Sequence, residues 1–225
     1  MPARFMVRFL PLLLLSALCV PAAAQQVLVL DMVGDGVDLS AIAPQNDMFL
    51  GKKIPTRWTA PGSDDCVLVI DATGLQSVGV QVRDRFGNAV DGLVILQDGL
   101  SITPPGVPNA PLNDVWEVAA TLDANHDGML DAGDPAWEFL WLYMGPADAS
   151  KLTHVSASIH RPPLVQMTSI SLTHASPYTD SSGNSRRDGS CTIAGTSRVV
   201  TGALLQTGTT PARQTQWGAL RRDYR

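Results

Sequence analysis

The stretch from Asp123 to Asp134, Asp-Ala-Asn-His-Asp-Gly-Met-Leu-Asp-Ala-Gly-Asp, constrains this chain more than any other. Counting Asp123 as position 1, side-chain oxygens fall at positions 1, 3, 5, 9 and 12 (Asp123, Asn125, Asp127, Asp131, Asp134), with Gly128 at 6 and Leu130 at 8. Hard oxygen donors at alternate positions suit a chain wrapped around Ca²⁺, which takes six to eight such ligands at about 2.3–2.6 Å. Gly128 supplies the sharp turn, because without a Cβ it takes positive φ cheaply, and the Met129 carbonyl then turns back as the ligand at position 7. Leu130 is expected to face the core and His126 to face solvent.

This is the spacing of an EF-hand calcium loop, and the flanks extend it. Asn113 is placed to cap a helix over 114–122, where Val115, Val118, Ala119 and Leu122 recur at helical spacing. Beyond the loop, Pro135 suits a first helical position, and Trp137, Leu140, Trp141 and Met144 form an apolar stripe that Gly145-Pro146 stops. The pattern predicts helix-loop-helix over 113–145. The competing reading is an Asx-rich surface turn between two core helices. Asp134 stands where the strongest loops carry a longer Glu, so the expected affinity is that of extracellular modules, about 10⁻⁴–10⁻³ M.

Residues 1–24 read as a secretory signal peptide: Arg4 and Arg8 precede the apolar Phe9–Val20, and Ala22-Ala23-Ala24 forms a small-residue cleavage site. The expected location is periplasmic or secreted, with no stable membrane insertion. The formal charge is −5, more negative once that basic segment is removed, which argues against nucleic acid as a partner and suits cations. Cys66 and Cys191 leave a single disulfide open, with two buried thiols as the other reading.

The remaining chain reads as strands. Residues 25–112 form a β-rich part: Val27–Leu30 is a strand running into the acidic turn Asp31–Asp38, and Cys66–Ile70 a buried one leading to a loop at Asp71. Both acidic stretches are degenerate as calcium loops, because Val33 and Ile42, and then Leu75-Gln76, stand where oxygens or the glycine belong. They are read as structural, with Asp31, Asp35 and Asp38 able to contribute to an irregular site. Residues 146–205 alternate polar and apolar in 151–160 and 164–174, predicting a β-meander with a hairpin tip over 180–189. The end, 206–225, is a flexible basic tail. The fold class is therefore α+β, mostly antiparallel β with one helix-loop-helix insert.

The order of these pieces resembles the EF-hand-type calcium-binding domain of bacterial secreted proteins of the RTX haemolysin type. The resemblance rests on Leu30–Val37, Thr56–Asp71, Phe86-Gly87-Asn88 and above all Leu122–Trp137, followed by Ser169–Leu172, Tyr178–Asn184 and Arg187–Ser190. It implies calcium bound outside the cytoplasm, on Asp123, Asn125, Asp127, Met129, Asp131 and Asp134. The losses elsewhere, and the lack of a glycine-rich nonapeptide array, reduce the expectation to one intact site.

The chain carries no His-Glu-x-x-His, no Gly-x-Ser-x-Gly and no phosphate loop, so no enzyme is expected. The functional expectation is an exported calcium-binding protein in which the ion is structural or weakly regulatory. The alternative is an adhesion or interaction module that binds a glycan or protein, with calcium only stiffening it. Because such loops work in pairs, a homodimer or a cell-surface partner is also open.

Overall fold

The computed structural model describes residues 26–39, 43–47, 52–56, 59, 63–143, 152–155, 167–179 and 185–204. The expected signal peptide, the helix stop at Gly145-Pro146, the strand reading of 156–166 and the basic tail lie outside the described residues. In chain order the elements are β1 (Gln26–Leu30), β2 (Ala43–Asp47), β3 (Lys52–Thr56), β4 (Cys66–Asp71), α1 (Ala72–Ser77), β5 (Gln81–Arg83), β6 (Leu93–Ile95), β7 (Ser101–Thr103), α2 (Val115–Ala120), β8 (Met129–Asp131), a 3-10 helix (Pro135–Phe139), β9 (Leu140–Tyr143), β10 (Leu152–His154), β11 (Met167–Ser171), β12 (Tyr178–Thr179), β13 (Ser185–Ile193) and β14 (Thr196–Leu204). The protein is mostly antiparallel β with few helices.

One sheet runs in the order β10-β9-β4-β1-β14-β13-β11-β8, with β6 beside β4 and β12 beside β13, and it curls into a half-barrel. β1 lies between β4 and β14, with Leu30 opposite both Cys66 and Val200, so the two ends of the described chain are hydrogen-bonded neighbours. The centre of the sheet is covered on both faces. Leu28, Leu30, Cys66, Leu68 and Ile70 pack with α2, Leu130 and Trp137 on one side; Val27, Val29, Val67 and Val69 pack with Ile95 and Tyr143 on the other. This two-sided burial is why both strands are continuous apolar runs rather than alternating ones.

Helix α2 is held onto the sheet by its first turn. Asp114 caps it, accepting from the Trp116 N–H at 2.8 Å, and pairs with Arg187 of β13. The Trp116 indole donates to the Arg187 carbonyl at 3.1 Å and lies over Gly189 and Gly202, where an added Cβ would meet the ring at 2.5 and 2.9 Å. Those glycines leave the space that lets α2 sit against β13 and β14.

Several expectations are corrected. The cap of α2 is Asp114, not Asn113, because the aspartate is the residue in extended backbone whose carboxylate reaches a helical N–H. Asp71 opens a helix rather than a loop: its Oδ1 accepts from the Gly74 N–H at 3.0 Å, and Ala72 and Leu75 bury the inner face of α1. The expected exit helix after the loop is one short 3-10 segment, and Leu140–Tyr143 is a strand paired with β4. In that strand Leu140 and Leu142 face one core cluster while Tyr143 faces the other, a period of two that pairing with β4 imposes over the helical spacing. The closing hairpin turns at Ala194-Gly195, both at positive φ; residues 185–189 of the expected tip belong to β13, and 180–184 lie outside the described residues. The disulfide does not form. Cys66 and Cys191 lie three interstrand steps of about 4.8 Å apart, beyond the roughly 7 Å that a bridge spans, and both thiols are buried.

Candidate metal centre

The loop following α2 is held in shape by its own side chains. Asp123, 6 % exposed, accepts from the His126 N–H with Oδ1 at 2.7 Å and from the Gly128 N–H with Oδ2 at 3.0 Å. Asn125 Oδ1 accepts from the Asp127 N–H, Asp127 Oδ1 from the Met129 N–H, and Asp131 Oδ1 from the Gly133 N–H, at 3.0, 2.8 and 2.7 Å. Asp134 is buried and reaches back across the loop, accepting from Ala124 with Oδ1 at 2.8 Å and from Asp131 with Oδ2 at 3.1 Å. A carboxylate offers about four lone-pair sites, so each of these groups keeps capacity for a cation after its N–H contacts.

β8 carries loop positions 7 to 9 and pairs with β11, Leu130 opposite Ile170. The Gly128 carbonyl accepts from the Leu172 N–H at 2.9 Å, which makes 128 and 130 the positions bonded to β11. Met129, between them, turns its N–H and carbonyl the other way, and its N–H goes to Asp127. The Met129 carbonyl is therefore turned away from the β11 ladder. Leu130 is fully buried, Gly128 has φ +81°, and His126 is exposed with φ +59°.

A second acidic group is assembled from two distant segments. Carboxylate oxygens of Asp31, Asp35 and Asp64 lie within 4.8 Å of one another, close enough to hold one metal ion. The four aspartates of 123–134 form no such trio among the described residues. Asp31, 1 % exposed, accepts from the Gly34 N–H with Oδ1 at 2.6 Å and from the Gly36 N–H with Oδ2 at 3.0 Å. That is the same pattern, three and five residues on, that Asp123 makes. Positive φ recurs at the same offsets: +92° at Gly34 and +106° at Gly36, against +59° at His126 and +81° at Gly128. The turn after β1 thus repeats the first half of the loop after α2, with Val33, half exposed, where Asn125 would stand.

Asp64 and Asp65 approach from just before β4. Asp64 is 8 % exposed and its Oδ2 is buried with no hydrogen-bond partner. Asp65 accepts from the Asp38 N–H with Oδ2 at 2.7 Å while its Oδ1 is buried without a partner. Burial pushes the Asp65 carboxyl up to about 6, the charges of Asp64 and Asp31 adding to the shift and the Asp38 N–H opposing it. Like charges this close repel, most strongly where burial excludes water, so a cation among the trio would relieve that repulsion. On the outer side the Arg198 guanidinium packs on Gly34, where a Cβ would lie 2.2 Å from Nη1, and Arg186 donates to the Val37 carbonyl at 3.4 Å.

The sequence placed Asp31 and Asp35 in an acidic turn but missed Asp64, which lies about thirty positions away. The available signal was a pair of adjacent aspartates at the entry to an all-apolar strand, where at least one must be buried. Among the described residues no helix is long and apolar enough to cross a membrane. A scan against protein-family models and a search of curated proteins both found no match to this chain.

Proposed function

We propose that this chain is an exported calcium-binding protein whose loop 123–134 holds one Ca²⁺ through Asp123, Asn125, Asp127, Asp134 and the Met129 carbonyl, with Asp131 acting directly or through water. The observation that carries this reading is the closure of the loop by Asp134, whose two oxygens accept from the N–H groups of positions 2 and 9 and so tie the start and end of the loop together. All the donors are hard oxygens, which suits calcium over softer transition metals. Export rests on the sequence of residues 1–24.

The ion's role is structural. It links α2 to β8 and the 3-10 helix, and an ion that binds only the folded chain stabilises it by about 2.7 kcal/mol at a hundredfold excess over Kd. The test is terbium luminescence sensitised by Trp137, three residues beyond Asp134. Emission that calcium displaces and Asp127→Ala abolishes is the expected result. An intact fold with no emission would remove this loop as the site.

A further inference from the structure

We infer that Asp31, Asp35 and Asp64 form a second Ca²⁺ site, independent of loop 123–134, in which a residue from a distant segment replaces the ligand that the local loop lacks. The turn after β1 provides positions 1 and 5 of a calcium loop in Asp31 and Asp35 but fails at position 3, where Val33 has no oxygen. Asp64, from the segment entering β4, brings its carboxylate to within 4.8 Å of both. The feature that points to a ligand is the state of that carboxylate: Asp64 is 8 % exposed, yet its Oδ2 has neither a hydrogen-bond partner nor access to water. A buried carboxylate with an unpaired oxygen, lying within 4.8 Å of two further carboxylates, is balanced by a cation. The donors are all oxygen and three are charged, which selects a hard divalent ion, with water completing the shell. Because Asp31 follows β1 and Asp64 precedes β4, the site exists only in the folded chain, and calcium there ties the end of β1 to the start of β4.

The test is calcium stoichiometry by isothermal titration and thermal melting on the full chain, comparing wild type, Asp64→Asn, Asp35→Asn and Asp127→Ala. Two ions per wild-type chain are expected, with each of Asp64→Asn and Asp35→Asn losing one and Asp127→Ala losing the other. In chelator, Asp64→Asn should melt at or above wild type because it removes repulsion, and in calcium below it because it removes a ligand. That crossover separates a ligand from a merely structural residue; Asp35, being exposed, keeps the test open if Asp64→Asn folds poorly. One ion, lost in Asp127→Ala and kept in both triad variants, would overturn this site and leave the loop. One ion with the opposite dependence would overturn the loop and leave this site.

Discussion

Gly128→Ala isolates the backbone conformation on which the proposed calcium site in the loop after α2 depends. Gly128 has φ +81°, and a Cβ built there meets nothing within 4 Å, so the substitution introduces conformational strain without a clash. An L-residue in the left-handed region costs about 1–2 kcal/mol. The chain cannot relax around it, because the Gly128 N–H is held by Asp123 Oδ2 and its carbonyl by the Leu172 N–H. For a chain of this size each kcal/mol lowers Tm by about 2–4 °C, giving an expected fall of roughly 2–8 °C in calcium-containing buffer. Gly128→Asn should recover part of the loss, since Asn tolerates this region better than Ala. Circular dichroism melts of the three proteins read the effect directly. Equal melting of Gly128→Ala and wild type would mean that the loop does not hold Gly128 in this conformation and is not closed as described.

Other perturbations follow from the same contacts. Asp134→Ala leaves the Ala124 and Asp131 N–H groups without their carboxylate and should cost about 2–4 kcal/mol in urea unfolding, with loss of terbium emission. Trp116→Ala empties the space over Gly189 and Gly202 and should cost about 3–5 kcal/mol, measured the same way. A reductant should leave Tm unchanged, and both Cys66 and Cys191 should resist a thiol reagent until the chain is unfolded. Burial, and then the charge of Asp31, push the Cys191 thiol up to about 12. Its folded pKa exceeds the unfolded one, so the neutral thiol is favoured in the fold. Stability is retained below about pH 9 and declines as pH rises toward 12, a loss that Cys191→Ala should reduce in alkaline melts.

The local devices of this protein were legible in its sequence. The spacing of oxygens and glycine over 123–134 anticipated a turn at Gly128 and a buried Leu130, because each depends on residues a few positions apart. The apolar runs Val27–Leu30 and Cys66–Ile70 announced strands, the second of them buried, for the same reason. What the tertiary structure decided involves partners far along the chain. Leu140–Tyr143 carries a helical pattern, yet pairing with β4 makes it a strand, since ladder hydrogen bonds and burial on two faces outweigh a weak helix preference. Cys66 and Cys191 had suitable chemistry for a bridge, and the two strands between them removed it. The acidic turn at Asp31 lacked a ligand by its own spacing, and only the placing of β1 beside β4 brought Asp64 to it. Spacing reports the geometry of one loop, whereas a carboxylate from another segment is located only once the sheet order is known.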